Sequence, residues 1–246
     1  MPIILPFYSW KKLPAASAFH TTPTLTPKYP AKPKAPRHLP PRRPAEPVSL
    51  SSFDACQKRE TRLQDRHIAP LTAFVRQLRS AKGPDFLIPY CDPLDGGTTA
   101  KILFLLEAPT PKAVRSGFVS RDNPDAASKT FFDFNRRAKI PREQTLLWNI
   151  VPWYIGYGSS VRPANAQDFA DGLASLEILL KLLPLLRAIV LVGRKAQKAE
   201  LHIQALRPTV THFLCPHPSP KFINRVPAHA KNFHKVLGEL SSVLNI

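Results

Sequence analysis

Four groups of polar residues follow short apolar runs of the chain, the position at which parallel sheets carry their functional groups. In chain order they are Glu107-Ala108-Pro109, Asn149, Gly193-Arg194-Lys195 and His217-Pro218-Ser219-Pro220. A carboxylate can position a water, an amide offers both a donor and an acceptor, and a neutral imidazole can donate a hydrogen bond. Cationic side chains at the start of a helix favour phosphate. The sequence therefore predicts one site that combines an acid, an amide, an imidazole and a basic helix start.

The elements that must position these residues alternate in kind along the chain. Four short, mostly apolar segments are predicted as strands: 102–106, 146–151, 188–192 and 209–214. Helices are predicted at 51–79 with Pro70 interrupting it, at 125–139, from Pro163 to Pro184, after Gly193, and at 228–244. Apolar strands joined by helical crossovers indicate a parallel sheet covered on both faces. We therefore predict an α/β fold, a three-layer sandwich whose four-stranded parallel sheet is flanked by helices.

The first part of the chain differs in composition from the rest. Of the 28 prolines, twelve fall between Pro2 and Pro47, together with eight Lys or Arg and a single acid, Glu46. Such a segment cannot build a core, so residues 1–50 are predicted to be a disordered arm and 51–246 the folded domain. Most of the net charge of +18 lies in that domain. This charge favours a polyanionic partner, because phosphate contacts release condensed counterions, although a generally basic, solvated surface is the alternative.

The cysteines and the apolar runs exclude several classes of protein. Cys56, Cys91 and Cys215 are far apart and form no CxxC pair, which argues against a zinc site, an iron–sulfur cluster or a disulfide scaffold. We therefore expect no metal and no cofactor. No apolar run reaches the roughly 18 residues that a transmembrane helix needs. The prediction is a monomer with free thiols that spans no membrane and lies in the cytoplasm.

Three segments match motifs of one enzyme superfamily. They are Leu106-Glu107-Ala108-Pro109-Thr110, Trp148-Asn149-Ile150-Val151-Pro152 and His217-Pro218-Ser219-Pro220. The first two resemble the GEAPG and TNVVK motifs of the family 4 uracil-DNA glycosylases, and the third resembles the HPS motif of the whole uracil-DNA glycosylase superfamily. Between the first two, the segment 117–120 is similar to their PFVG. The order and the predicted strand-end positions of the motifs make the set specific, and the resemblance runs from Tyr90 to the C-terminus.

The chain also departs from this family. Family 4 enzymes ligate an iron–sulfur cluster with four cysteines, so the resemblance implies a branch that lacks the cluster. The aspartate that activates water in the prototype uracil-DNA glycosylases aligns with Ala108. Their intercalating leucine aligns with Lys221, and Phe222 or Ile223 is the alternative wedge.

The resemblance implies a role for each residue of the motifs. Glu107 would position the water and face the sugar, as carboxylates do in glycosidases, and His217 would donate to the uracil carbonyl that gains charge. Glu107 and His217 are the expected catalytic residues. The expected substrate-binding residues are Asn149 for the base edge, Phe118 for stacking, and Ala108 and Pro109. The expected DNA-binding residues are Ser219, Lys221, Phe222, Arg225, Arg194 and Lys195.

Structural alternatives to these roles stay open at this point. Asn149 could be a strand-end cap, Phe118 an ordinary core residue, and Glu107 an acceptor for nearby backbone N–H groups. His217 could be structural, and Arg225 a solvated surface cation.

The predicted function is that of a monofunctional DNA-repair glycosylase. It would hydrolyse the N-glycosidic bond of a flipped-out uracil in DNA and leave an abasic site. Its partner would be DNA that contains uracil or abasic sites, and it would act as a bacterial-type cytoplasmic enzyme associated with the nucleoid during repair. A module on the same fold that binds abasic or damaged DNA with little turnover is the alternative. A hydrolase of free nucleosides also fits the fold but gives the positive charge no purpose.

Overall fold

The computed structural model describes residues 46–244 of the chain. The strands are β1 (Tyr90–Cys91), β2 (Ile102–Leu106), β3 (Phe118–Val119), β4 (Thr145–Asn149), β5 (Gly156–Tyr157), β6 (Ser160–Val161), β7 (Ala188–Val192) and β8 (Thr211–Cys215). The helices are α1 (Phe53–Glu60), α2 (Ala69–Lys82), α3 (Pro111–Ser116), α4 (Ala126–Arg137), α5 (Ala166–Lys181), α6 (Arg194–Gln197), α7 (Glu200–Leu206), α8 (Pro220–Arg225) and α9 (Pro227–Leu244). Most of the predicted arm, residues 1–45, lies outside the described residues, so its disorder and the domain boundary stay predictions.

Four strands form one parallel sheet in the order β4-β2-β7-β8. The register places Leu106 beside Asn149 in one pair of strands and Val192 beside Cys215 in another. Because all four strands run the same way, their carboxyl ends lie at one edge of the sheet. This arrangement confirms the predicted α/β fold with a four-stranded parallel sheet flanked by helices.

Helices cover both faces of the sheet, and aromatic contacts identify which helix covers which face. Leu105 is in register with Trp148, so the two point to the same face, and Phe74 of α2 lies with its ring centroid 6.0 Å from that of Trp148. Phe104 points to the opposite face, where its ring meets Phe131 of α4 edge to face at 4.8 Å. Alternate residues of a strand thus anchor the two outer layers of the predicted sandwich.

Several predicted boundaries are wrong, for local reasons. The helix predicted at 51–79 is two helices, α1 and α2, and Pro70 lies in the first turn of the second, where its missing N–H costs nothing. The helix predicted to open at Pro163 begins at Ala166 instead. Asn165 caps it, because the Asn165 side chain accepts from the Asp168 N–H and the Asp168 side chain accepts from the Asn165 N–H.

The remaining strands were not predicted because each has only two residues. β1 and β3 pair in parallel, and β5 and β6 form an antiparallel hairpin between β4 and α5. Two residues carry no periodicity that a sequence could reveal.

A buried network of ion pairs holds the loop after β1, the segment after β3 and the start of β4 together. Arg142 donates to Asp92 at 2.7 Å, to Asp95 at 2.8 Å and to Asp122 at 2.7 Å. Arg59 of α1 bonds Asp92 and also donates to Asp122 at 2.7 Å. The three aspartate side chains are fully buried. Because buried charges require partners, this network fixes the three segments against each other.

Candidate functional site

The three residues with the expected chemistry lie at the same edge of the sheet. Glu107 directly follows β2, Asn149 is the last residue of β4, and His217 is two residues beyond β8. Ladder-like bonds continue past the strand ends, since the N–H of Ile150 donates to Leu106 O and that of Val151 donates to Glu107 O, both at 2.9 Å. Glu107 and the end of β4 are therefore held in fixed register.

Glu107 is half-buried and anchored by one of its two carboxylate oxygens. Its Oε1 accepts a hydrogen bond from the backbone N–H of Ala164 at 3.2 Å. Ala164 lies in the segment that enters α5, so residues far apart in the chain aim this carboxylate. Among residues 46–244, Oε2 has no hydrogen-bond partner. The arrangement leaves one oxygen to orient a water.

Asn149 presents an amide whose polar atoms are not committed to the protein. The residue is only 3% exposed, yet its side chain forms no hydrogen bond within the part of the chain that the structure describes, and its amide atoms are not sealed from solvent. Buried amides are normally paired. An unpaired amide at the end of a central strand is therefore available to a ligand that brings its own donor and acceptor.

His217 is held as one tautomer. The backbone N–H of Ser219 donates to its Nδ1 at 3.2 Å, so Nδ1 is the acceptor and the neutral ring carries its proton on Nε2. Burial lowers the pKa of His217, and the charges of Asp125 and Glu107 offset this only in part. The ring is therefore a neutral hydrogen-bond donor at pH 7, close enough to Glu107 to feel its charge.

Gly193, which follows β7, provides the surface against which His217 packs. A Cβ at this position would lie 3.2 Å from the Cβ of His217 and 3.4 Å from its Cδ2. The residue also has φ +86°, which favours glycine. Its N–H donates to Cys215 O at 2.8 Å, and this bond ties the ends of β7 and β8 together below the imidazole.

Of the other expected substrate-binding residues, Ala108 and Pro109 lie next to Glu107, whereas Phe118 lies in a separate apolar cluster. Ala108 is half-buried and Pro109 buried, both next to Glu107. Phe118 is 1% exposed and packs in a separate apolar cluster with Leu50 and Leu63. That packing is typical of a core phenylalanine, so the stacking role of Phe118 stays a prediction without support from its contacts.

The expected DNA-binding residues form two exposed groups at this edge. Lys221, Phe222 and Arg225 lie on α8, directly after Ser219, and the rings of Phe222 and His217 have their centroids 6.4 Å apart. Arg194 and Lys195 are exposed on α6, next to Gly193. The structure thus brings one group to the imidazole and the other to the glycine beneath it.

Sequence reasoning missed two contributors to the site. Ala164 gave no signal, because a backbone N–H acts irrespective of residue type. Asp125 gave a weak one. Its side chain caps α4 by accepting a hydrogen bond from the Ser128 N–H at 2.8 Å. An aspartate directly before a helical pattern is a typical N-cap, so the sequence could have suggested this role.

Residues 46–244 contain neither a candidate metal site nor a candidate membrane-spanning helix. No three His, Cys, Asp or Glu side chains are grouped as metal ligands would be. None of the helices in this range is both long and apolar enough to cross a membrane.

Comparison with known proteins gives one family and 56 similar chains of known structure, two of which follow. The model of the family described as the uracil DNA glycosylase superfamily matches residues 93–241. A solution structure from Methanosarcina acetivorans, provisionally described as a uracil DNA glycosylase, has 19% identity and a TM-score of 0.42, covering 60% of this chain and 94% of its own. Wild-type SMUG2 from Pedobacter heparinus has 12% identity and a TM-score of 0.47, covering 75% and 87%. No curated protein matches the chain.

Proposed function

The chain belongs to the uracil DNA glycosylase superfamily, and on this premise we propose that it hydrolyses the N-glycosidic bond of a uracil flipped out of DNA. The products would be free uracil and an abasic site. Breaking this bond develops positive charge on the sugar and negative charge on the departing base. An active site for it needs a base-recognising group, a donor for the leaving group and a group that orients water.

Asn149 is proposed to recognise the base. Uracil presents a carbonyl next to an N–H, and an amide can pair with both at once. The cytosine edge reverses this pattern, so a fixed amide discriminates between the two bases. The unpaired, nearly buried amide of Asn149 supports this role.

His217 is proposed to stabilise the departing uracil, and its single tautomer is the observation that carries the proposal. Because Ser219 N–H occupies Nδ1, the only nitrogen-bound proton of the neutral imidazole is on Nε2. A neutral donor preorganised in this way stabilises negative charge without transferring its proton.

Glu107 is proposed to orient the attacking water and to face the cationic sugar. The Ala164 N–H fixes Oε1, and Oε2 remains for the water. Ala108 stands where the prototype enzymes carry their aspartate, so the carboxylate one residue earlier would take over the task. Ala108 and Pro109 would line the pocket beside the base.

The proposed substrate is DNA, gripped by the exposed groups around the site. Ser219 would contact a flanking phosphate, while Lys221, Arg225, Arg194 and Lys195 would neutralise neighbouring ones. Phe222, 45% exposed beside His217, is the proposed wedge. The chain is proposed to act as a monomer without a cofactor, in a cluster-free branch close to the family 4 enzymes. Its three free cysteines, of which Cys91 and Cys215 are buried, agree with this.

The first prediction concerns excision itself. The wild type should convert a uracil-containing oligonucleotide into alkali-cleavable product, whereas Glu107→Ala and His217→Ala should each lower kcat by about 100-fold or more, as expected for a lost electrostatic contact. Circular dichroism would verify that both variants fold. The control is Lys181→Ala, at an exposed lysine that is far from the site in the chain. Absence of alkali-cleavable product from the wild type would refute the proposal.

A second candidate is a module that binds abasic DNA with little turnover. The observation that favours it is Ala108, which stands where the prototype enzymes carry the aspartate that activates water. Tight binding to a stable abasic analogue without excision of uracil would support this module over the enzyme.

A further inference from the structure

The most exposed aromatic side chain of residues 46–244 lies at the tip of a small hairpin that follows the proposed base-recognising strand. Tyr157 of β5 is 93% exposed. Among the described residues it has no aromatic or cation–π partner. Its ring therefore contributes little to the fold, which raises the question of what it contacts.

The hairpin beneath Tyr157 is a defined structure. The Tyr154 hydroxyl lies 2.9 Å from Gly158 O and 3.0 Å from Ser160 O, and its single proton is shared between these two acceptors. Arg162 N–H closes the base of the hairpin on Ile155 O at 3.0 Å. A Cβ on Gly156 would lie 2.1 Å from Ser160 O. The hairpin is thus closely packed, while its one aromatic side chain lies in solvent.

The hairpin is also tied to the site. Tyr157 pairs with Ser160. Ala164 comes four residues after Ser160, and its N–H donates to Glu107. Four residues span at most about 14 Å, and paired strands lie about 5 Å apart. The Cα of Tyr157 is therefore within about 20 Å of Ala164, a distance covered by about six stacked bases at 3.4 Å each.

We propose that Tyr157 stacks on an unpaired base of the same DNA strand, a few nucleotides from the flipped uracil. This inference rests on the proposed function for its ligand. Aromatic rings on rigid supports at the rim of basic sites stack on single-stranded bases irrespective of their identity, because every base has a π-face. The chain carries a net charge of +18, which favours a polyanionic partner, and the nucleobase is the part of a nucleic acid that stacks on an aromatic ring.

Binding without turnover tests the proposal. The probe is a fluorescently labelled single strand of thymidines, which contains no uracil to excise, and the readout is fluorescence anisotropy. Tyr157→Ala should weaken binding about tenfold, within the range measured for the loss of one stacked base, and Tyr157→Trp should restore it. With a strand of the same length made of abasic nucleotides, Tyr157→Ala and the wild type should bind alike, because no base is present to stack.

The outcomes separate this proposal from the proposed function. Leu201→Ala, at a side chain 80% exposed on α7, is the matched control for loss of exposed apolar surface and should bind as the wild type does. Unchanged binding of Tyr157→Ala to the thymidine strand, or an equal loss with the abasic strand, overturns the stacking role. Failure of the wild type to excise uracil would remove the enzyme function while leaving the binding result intact.

Discussion

The imidazole of His217 keeps its role only as long as Nδ1 remains an acceptor. Protonation would make both ring nitrogens donors, and the Ser219 N–H would then face another N–H across the 3.2 Å that now separates a donor from an acceptor. Burial lowers the pKa of His217 and so protects the neutral form, while Asp125 and Glu107 act against it. The pKa of the ring is thus set by two opposing effects, burial, which lowers it, and two carboxylates, which raise it.

The prediction at this scale concerns the titration of His217 measured by NMR. Its pKa should lie below the usual value of about 6.5, and Asp125→Asn should lower it further, because the variant loses a carboxylate that favours the charged ring. Asparagine is as good an N-cap as aspartate, so α4 should remain intact. Asp133→Asn, on the same helix, is the control and should leave the titration unchanged. A midpoint above about 6.5, or an upward shift in Asp125→Asn, would contradict this account.

The residues of the site were predictable from the sequence to different degrees. Glu107, Asn149 and His217 could be found because each lies at or just past the end of a strand and belongs to a segment that resembles a motif of the superfamily. What aims them could not be found. The N–H of Ala164 and that of Ser219 act through the backbone, and no residue type marks such a contact.

At the scale of elements, the turn after β7 and the position of His217 beside it depend on Gly193. With φ +86° and ψ 153° it occupies backbone space that is nearly restricted to glycine, and its missing side chain leaves room for His217. Gly83, after α2, has a closely similar backbone, with φ +92° and ψ 173°, but open space around it. The two glycines share a conformation and differ only in what lies next to them.

This pair allows backbone strain to be separated from contact with His217. Gly193→Ala and Gly83→Ala should each lower the free energy of unfolding by about 1–3 kcal/mol, the usual cost of such a conformation for a non-glycine residue. Only Gly193→Ala should also lower kcat, by about tenfold or more, because its methyl group displaces the imidazole. The checks are urea unfolding and uracil excision. Equal kcat values for the two variants would show that Gly193 does not position His217.

The elements of the sheet were predicted better than the helices. The strands at 102–106 and 188–192 have the predicted bounds, since a wholly apolar run admits few other structures. The start of α5 was missed because Pro163 resembles a first-turn proline, whereas the reciprocal cap of Asn165 and Asp168 determines the start. In this case a specific pair of hydrogen bonds outweighed the preference of a single residue.

At the scale of the whole molecule, the network of Arg59 and Arg142 with three aspartates links segments that are distant in sequence. Burial alone would raise the pKa of Asp92, but Arg142 and Arg59 outweigh it and hold the pKa below its usual value. Burial raises the pKa of Asp95 despite Arg142 and Arg121. No sequence pattern predicted the network, because its members have no regular spacing.

Arg142→Leu should therefore be strongly destabilising at pH 7, by about 3–5 kcal/mol, since it leaves buried carboxylates short of a partner. In the wild type, the lowered pKa of Asp92 stabilises the fold above about pH 4 and this contribution disappears as the pH falls through that pKa. In the variant the carboxyls of Asp92 and Asp95 lose the charge of Arg142 that lowers their pKa values and titrate at higher pH, so its deficit should shrink between pH 7 and pH 5. Urea unfolding at the two pH values measures this.

The control is Arg136→Leu, at an arginine whose side chain is 68% exposed and pairs with Asp133 at 3.3 Å. Exposed pairs contribute about 0–1 kcal/mol, so this variant should change little at either pH. An Arg142→Leu deficit that is as small as that of the control would mean that the buried network does not stabilise the fold.

The network determines how far the N-terminal part of the chain can be truncated. The family match begins at residue 93, but Arg59, which pairs with Asp92 and Asp122, and Phe74, which covers Trp148, come before it. A truncated protein that starts at the border of the match would lose one guanidinium from the buried cluster and the helix α2 that covers Trp148. The part of the chain that matches the family is therefore shorter than the part that completes the buried cluster and covers Trp148.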